Sequence, residues 1–141
     1  MAALTGRTMI ITVGGTDYTA QVFEARVDAD DADSDEITFA EAAAGGGRKY
    51  ILAFKLTQDL IAGTLWDKVF DPTVVGTNIT CLLKPYGNAT ATAAQPHFSM
   101  SAGVREPNGT LIGGEADASP TKRQVIEVEW PLVAKPTRVI A

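Results

Sequence analysis

Cysteine is almost missing from this chain: Cys81 stands alone. One thiol excludes an internal disulfide and any thiolate cluster for a metal. Histidine is equally scarce, with His97 the single residue. Nothing beside it supplies a nucleophile and an orienting carboxylate, so it reads as a surface or edge histidine. No apolar run is long enough to span a bilayer, and no basic start leads into an apolar stretch, so neither membrane insertion nor a signal peptide is expected. Positive charge is in deficit as well. Twelve Lys and Arg stand against 17 Asp and Glu, a formal net charge of -5. That balance argues against gripping phosphate, though not against a surface that nucleic acid slides past.

What remains is 141 residues, 45% of them apolar. This suits one domain, 1–141, with a core of its own. Thr8 to Val13 is a β-branched strand ending at Gly14-Gly15. Asp17 to Val27 alternates, which predicts one strand with Phe23, Ala25 and Val27 inward and Tyr18 outward. Arg48 to Thr57 is the clearest strand, with Tyr50, Leu52, Phe54 and Leu56 on one face. Asn78 to Lys84 sets Ile79, Cys81 and Leu83 on one side, where Cys81 reads as a buried, inert thiol. His97 to Val104 turns Phe98, Met100, Ala102 and Val104 inward and His97 outward. Arg123 to Leu132 closes the series, with Ile126, Val128, Trp130 and Leu132 inward.

Between these strands, Asp59 to Asp71 changes period. Leu60, Ile61, Leu65, Trp66, Val69 and Phe70 form a helical stripe, with Asp59 as N-cap and Pro72 as stop. Gly63 leaves open a turn followed by a shorter helix. Glu36 to Phe39 reads as a brief strand. The sum is a mainly β fold: a sandwich or barrel of about seven strands with one flanking α-helix. The core anchors are Leu65, Trp66, Phe70 and Trp130.

Three connections are long: 28–36, 40–47 and 106–120. The first holds Asp28, Asp30, Asp31, Asp33, Asp35 and Glu36 and no cation, so it is expected to be a solvated loop without a local partner. It is a candidate for contact between subunits, with Arg48, Lys49, Lys122 and Arg123 of a neighbour, or for the lining of a channel. Asp31, Asp33 and Asp35 have the opening spacing of an EF-hand. Glu36 stands where glycine belongs and Ala42 where the bidentate glutamate belongs, which leaves only loose divalent-cation binding as a minor alternative. Gly45 to Gly47 before Arg48 and Lys49 lacks the phosphate-loop spacing and reads as a hinge. Glu127 and Glu129 share one strand face, as a general acid and base would, but also as a solvated sheet would. No enzyme mechanism and no cofactor are expected.

One stretch carries a likeness. Gly63 to Asp71 (Gly-Thr-Leu-Trp-Asp-Lys-Val-Phe-Asp), then Gly76, a strand, and Lys84-Pro85-Tyr86-Gly87-Asn88, resembles the middle of the tail tube proteins of long-tailed bacteriophages. Leu65, Trp66, Val69, Phe70, Gly76, Ile79 and Pro85 hold the matching positions. The end of the chain, through Glu129, Trp130, Pro131, Lys135 and Pro136, is similar to the closing strand of that family. Together the two stretches cover about a third of the chain. The resemblance implies a structural virion protein whose hexameric rings stack into a tube that conducts the genome. Its implied partners are further copies of itself, tail tip or baseplate and terminator proteins, and the tape measure protein and passing DNA in the lumen. It would be assembled in the host cytoplasm and reside in the virion tail. The alternatives are a tail terminator, head-tail joining or baseplate hub protein of the same fold, or a small β-sandwich binding module.

Overall fold

A computed structural model describes residues 4–31, 38–43 and 48–140. The order of elements is β1 (Ile10–Val13), β2 (Thr16–Asp17), a 3-10 turn (Thr19–Gln21), β3 (Val22–Asp31), α1 (Phe39–Ala43), β4 (Arg48–Thr57), α2 (Leu65–Phe70), β5 (Asn78–Lys84), β6 (His97–Gly103), β7 (Val125–Pro131) and β8 (Thr137–Val139). The fold is mainly β, as the alternation predicts, and the described residues form eight strands in two antiparallel sheets with short helices beside them. The larger sheet runs β2-β1-β5-β6-β8 and the smaller β3-β4-β7.

The sheets face each other across one core. Ile11, Val13, Cys81, Leu83, Met100 and Ala102 come from the larger sheet, and Leu52, Phe54, Leu56, Ile126, Val128 and Trp130 from the smaller. Period-2 alternation turns these positions to one side of each sheet, and burial of their apolar surface drives the layers together. The chain crosses between layers just after β7. Leu132 N donates to Tyr50 O of the smaller sheet at 2.8 Å, and Val133 N donates to Ser101 O of the larger at 3.0 Å. One corner of the sandwich is thereby stitched shut.

Several elements depart from the sequence pattern. The Asp17–Val27 strand is broken. Asp17 accepts from the Thr19 amide at 2.8 Å, a local turn that competes with the ladder, and the chain coils through Gln21 before β3 begins. Tyr18 is buried rather than outward, and its hydroxyl donates to Gly63 O. Phe23 is 54% exposed rather than inward, because the β3–β4 register slips between Val22 and Glu24. A bulge there gives β3 one extra residue, and Phe23 is turned away from the core while Ala25 and Val27 still pack on it.

The helix is shorter than its stripe. Gly63 holds φ +87, and Thr64, not Asp59, is the N-cap, accepting from the Asp67 amide at 3.3 Å. Leu60 and Ile61 precede the helix and are exposed. Phe70 is 45% exposed, so it is a partial cover and not a core anchor. It stacks on Trp66 at 5.0 Å from the solvent side. Around residue 39 a short helix, α1, replaces the expected strand end and the start of the expected flexible connection.

The turn after β5 depends on a glycine. Gly87 has φ +71, and a Cβ there would meet Thr8 O at 2.6 Å. Gly87→Ala is therefore expected to destabilise the chain by more than the roughly 1–3 kcal/mol of a strained left-handed residue alone. Gly109→Ala, with nothing within 4 Å of the added carbon, is the control. Thermal unfolding of both variants checks the difference.

Candidate assembly surface

The outer face of the smaller sheet carries its polar side chains in rows. Alternation sends Glu24, Arg26, Asp28 and Asp30 outward from β3, Lys49, Ile51, Ala53 and Lys55 from β4, and Glu127 and Glu129 from β7. Antiparallel register then aligns Glu24, Lys55 and Glu127 in one row and Arg26, Ala53 and Glu129 in the next. Lys55 Nζ lies 3.4 Å from Glu24 and 3.3 Å from Glu127. Arg26 bridges Glu24 and Asp28 along its own strand, reaching Asp28 at 3.0 Å. Ala53, at the centre, is buried although it points outward, because the stems of its longer neighbours cover it.

These contacts set the protonation of the face. The Arg26 guanidinium, then Lys55, holds the Glu24 carboxyl below its usual range. Glu127, then Glu24, raises the Lys55 ammonium above its own. All these groups are solvent-exposed, so the lattice orders the face more than it stabilises the fold. Five carboxylates (Glu24, Asp28, Asp30, Glu127, Glu129) against three cations (Arg26, Lys49, Lys55) leave the face net acidic by two.

The two borders of this sheet are strands. β3, ten residues long, has no strand on its outer side among the described residues, and neither has β7. Such borders present backbone donors and acceptors on which a second chain can pair.

The acidic run divides. Asp28, Asp30 and Asp31 are not in a solvated loop. They continue β3 and stand in register with Ile51, Lys49 and Arg48 of β4. Asp28 has Arg26 as a local cation, contrary to an unpartnered loop. Strand pairing carries the chain this far, with Lys49 and Arg48 of β4 as the register partners of Asp30 and Asp31. Asp33, Asp35 and Glu36 lie outside the described residues, and with them the EF-hand spacing and the hinge glycines. Lys122, proposed as a partner for that run, pairs instead with Asp117 of its own connection at 3.1 Å.

Leu65, Trp66 and Trp130 are buried, as their phase predicts. The two indoles also secure the longest connection. Trp66 Nε1 donates to Leu111 O at 2.9 Å, and Trp130 Nε1 to Arg105 O at 3.1 Å. Gln58 adds a reciprocal pair with Gly113, both bonds at 2.7 Å. His97 is buried and not at the surface. Its Nε2 lies 2.9 Å from Asn88 O, in a strand covered on both sides by β5 and β8. Proline before it and an outward phase hid this, since burial here comes from the 88–95 loop folding back. Cys81 is buried, and burial pushes its thiol up to about 12.

Among the described residues no three metal-ligating side chains converge, and no helix is long and apolar enough to cross a membrane. Set against family models and curated proteins, the sequence matches none.

Proposed function

We propose that the chain is a structural virion protein whose hexameric rings stack into a bacteriophage tail tube. The observation that carries this reading is the acidic outer face of the smaller sheet, bounded on both sides by strands that have no further strand partner among the described residues. Copies set edge to edge would join such faces into one wetted wall. Its net negative charge would keep phosphate from adhering, so that DNA passes without being held. The likeness around Leu65, Trp66 and Pro85 points the same way. Tail tip, terminator and tape measure proteins would be the partners at the ends and in the lumen.

Negative-stain microscopy of the purified chain tests the reading directly. Open-ended tubes or stacked rings are the expected result. Closed single rings would favour a terminator, head-tail joining or hub protein of the same fold, and a persistent monomer at high concentration would sink self-assembly altogether. The charge of the wall is tested separately. Neutralising Glu127 and Glu129 to glutamine should leave tubes intact, because both side chains are exposed, and should slow DNA exit from assembled particles. Unchanged exit would remove the lining role.

A further inference from the structure

The chain has three asparagines, Asn78, Asn88 and Asn108, and glycine follows only the last. The backbone nitrogen of the next residue can attack an asparagine side chain, and glycine leaves that nitrogen unshielded because it has no Cβ. In a folded chain the reaction needs a local backbone free to bring the nitrogen to the side-chain carbonyl. The fold treats the three asparagines differently.

Asn78 opens β5 and stands in register with Gly103 of β6. Ladder pairing fixes its backbone, and the branched side chain of Ile79 crowds the nitrogen. Asn88 is tied down on two sides. Its Nδ2 donates to Thr90 O and Gln95 O, and its backbone oxygen lies 2.9 Å from His97 Nε2.

Asn108 has no such restraint. It is exposed, in the connection between β6 and β7, outside any helix or strand. The Gly109 amide makes no hydrogen bond among the described residues, and a Cβ on Gly109 would meet nothing within 4 Å. The contact that the Asn108 side chain does make favours attack: Arg105 Nη2 donates to Asn108 Oδ1 at 3.4 Å. A guanidinium there draws electrons from Cγ and stabilises the charge that the oxygen gains when a nucleophile adds. The Trp130 indole, donating to Arg105 O at 3.1 Å, anchors the backbone from which that guanidinium reaches.

We infer that Asn108 is a self-modification site, deamidated through the Gly109 nitrogen. The Gly109 N–H gives its proton to solvent hydroxide, and the nitrogen adds to Asn108 Cγ. The side-chain nitrogen leaves as ammonia, which closes a succinimide ring. Water then opens the ring. Cleavage between the Gly109 nitrogen and Cγ gives aspartate. Cleavage between that nitrogen and the backbone carbonyl carbon gives isoaspartate, with the main chain rerouted through the side chain. Either way one amide and one water become one carboxylate and one ammonium ion. The new charge falls beside Glu106, Glu127 and Glu129, which line the same cleft, so the outer face of the smaller sheet grows more acidic as the protein ages. The site does not depend on the self-assembly reading.

Incubation of the purified full chain at physiological temperature, followed by peptide mapping with mass spectrometry, tests this. A gain of about 1 Da is expected at position 108, with both products present, and none at positions 78 and 88. The rate should rise from mildly acidic to mildly alkaline buffer, because the attacking nitrogen must lose its proton. It should be no more than about threefold slower than in an unstructured peptide of residues 104–112. Gly109→Ala, which has room for its added carbon, should keep the circular dichroism of the parent and slow the gain at least about tenfold. An unchanged position 108 after the peptide has converted, or equal rates in the parent and Gly109→Ala, would overturn the site.

Discussion

Trp130→Ala is expected to lower the unfolding free energy by about 3–5 kcal/mol, the range for removing a large aromatic from a packed core. Trp130 is fully buried and meets Phe54 edge to face, with centroids 4.8 Å apart at 89°. Truncation removes that contact, opens a cavity between the sheets, and leaves Arg105 O without its indole donor. A domain of this size is typically stable by only about 5–15 kcal/mol, so the variant would sit near the threshold of folding. Urea unfolding followed by circular dichroism measures the change as a shifted midpoint at constant slope. Trp130→Phe, which keeps a ring but not the donor, should cost clearly less. Equal losses would mean that the hydrogen bond, not the packing, dominates.

Trp66→Ala is expected to cost a similar amount, about 3–5 kcal/mol, with a second effect on the middle of the connection between β6 and β7. Trp66 joins α2 to the core and, through Leu111 O, fastens the connection between β6 and β7 to the body. Without the indole that connection keeps the Gln58–Gly113 pair as its nearest tie. Limited proteolysis should therefore cut residues 106–120 faster in the variant under conditions where its core is still folded. Phe70→Ala is the contrast. Its ring is half-exposed and touches Trp66 from outside, so its loss should be well under half that of Trp66. If both substitutions cost the same, the stack and not the core position of Trp66 would be responsible.

The two tryptophans show why these residues could be read early. Each lies in phase with apolar neighbours on its own element, Trp130 with Ile126 and Val128, Trp66 with Leu65 and Val69, and local phase reports burial directly. Phe70 misled because it shares that phase on a helix of only six residues, whose far end projects beyond the core. Ile61 misled because Gly63 ends the periodic region before the helix begins.

The mainly β class, the bounds of β4 and β5, the core face of β4 to β7 and the acidic, single-thiol character were all legible in the residues alone. Each follows from alternation or composition, which are properties of neighbouring residues. Other features come from contacts distant in sequence. The bulge that turns out Phe23 depends on the register with β4. The burial of His97 depends on a loop returning over it. Asp28, Asp30 and Asp31 belong to a strand because β4 lies beside them. The outer charge lattice exists only where residues far apart in sequence are brought together. Pairings of that kind are set by packing free energy over the whole chain, and no local window contains it.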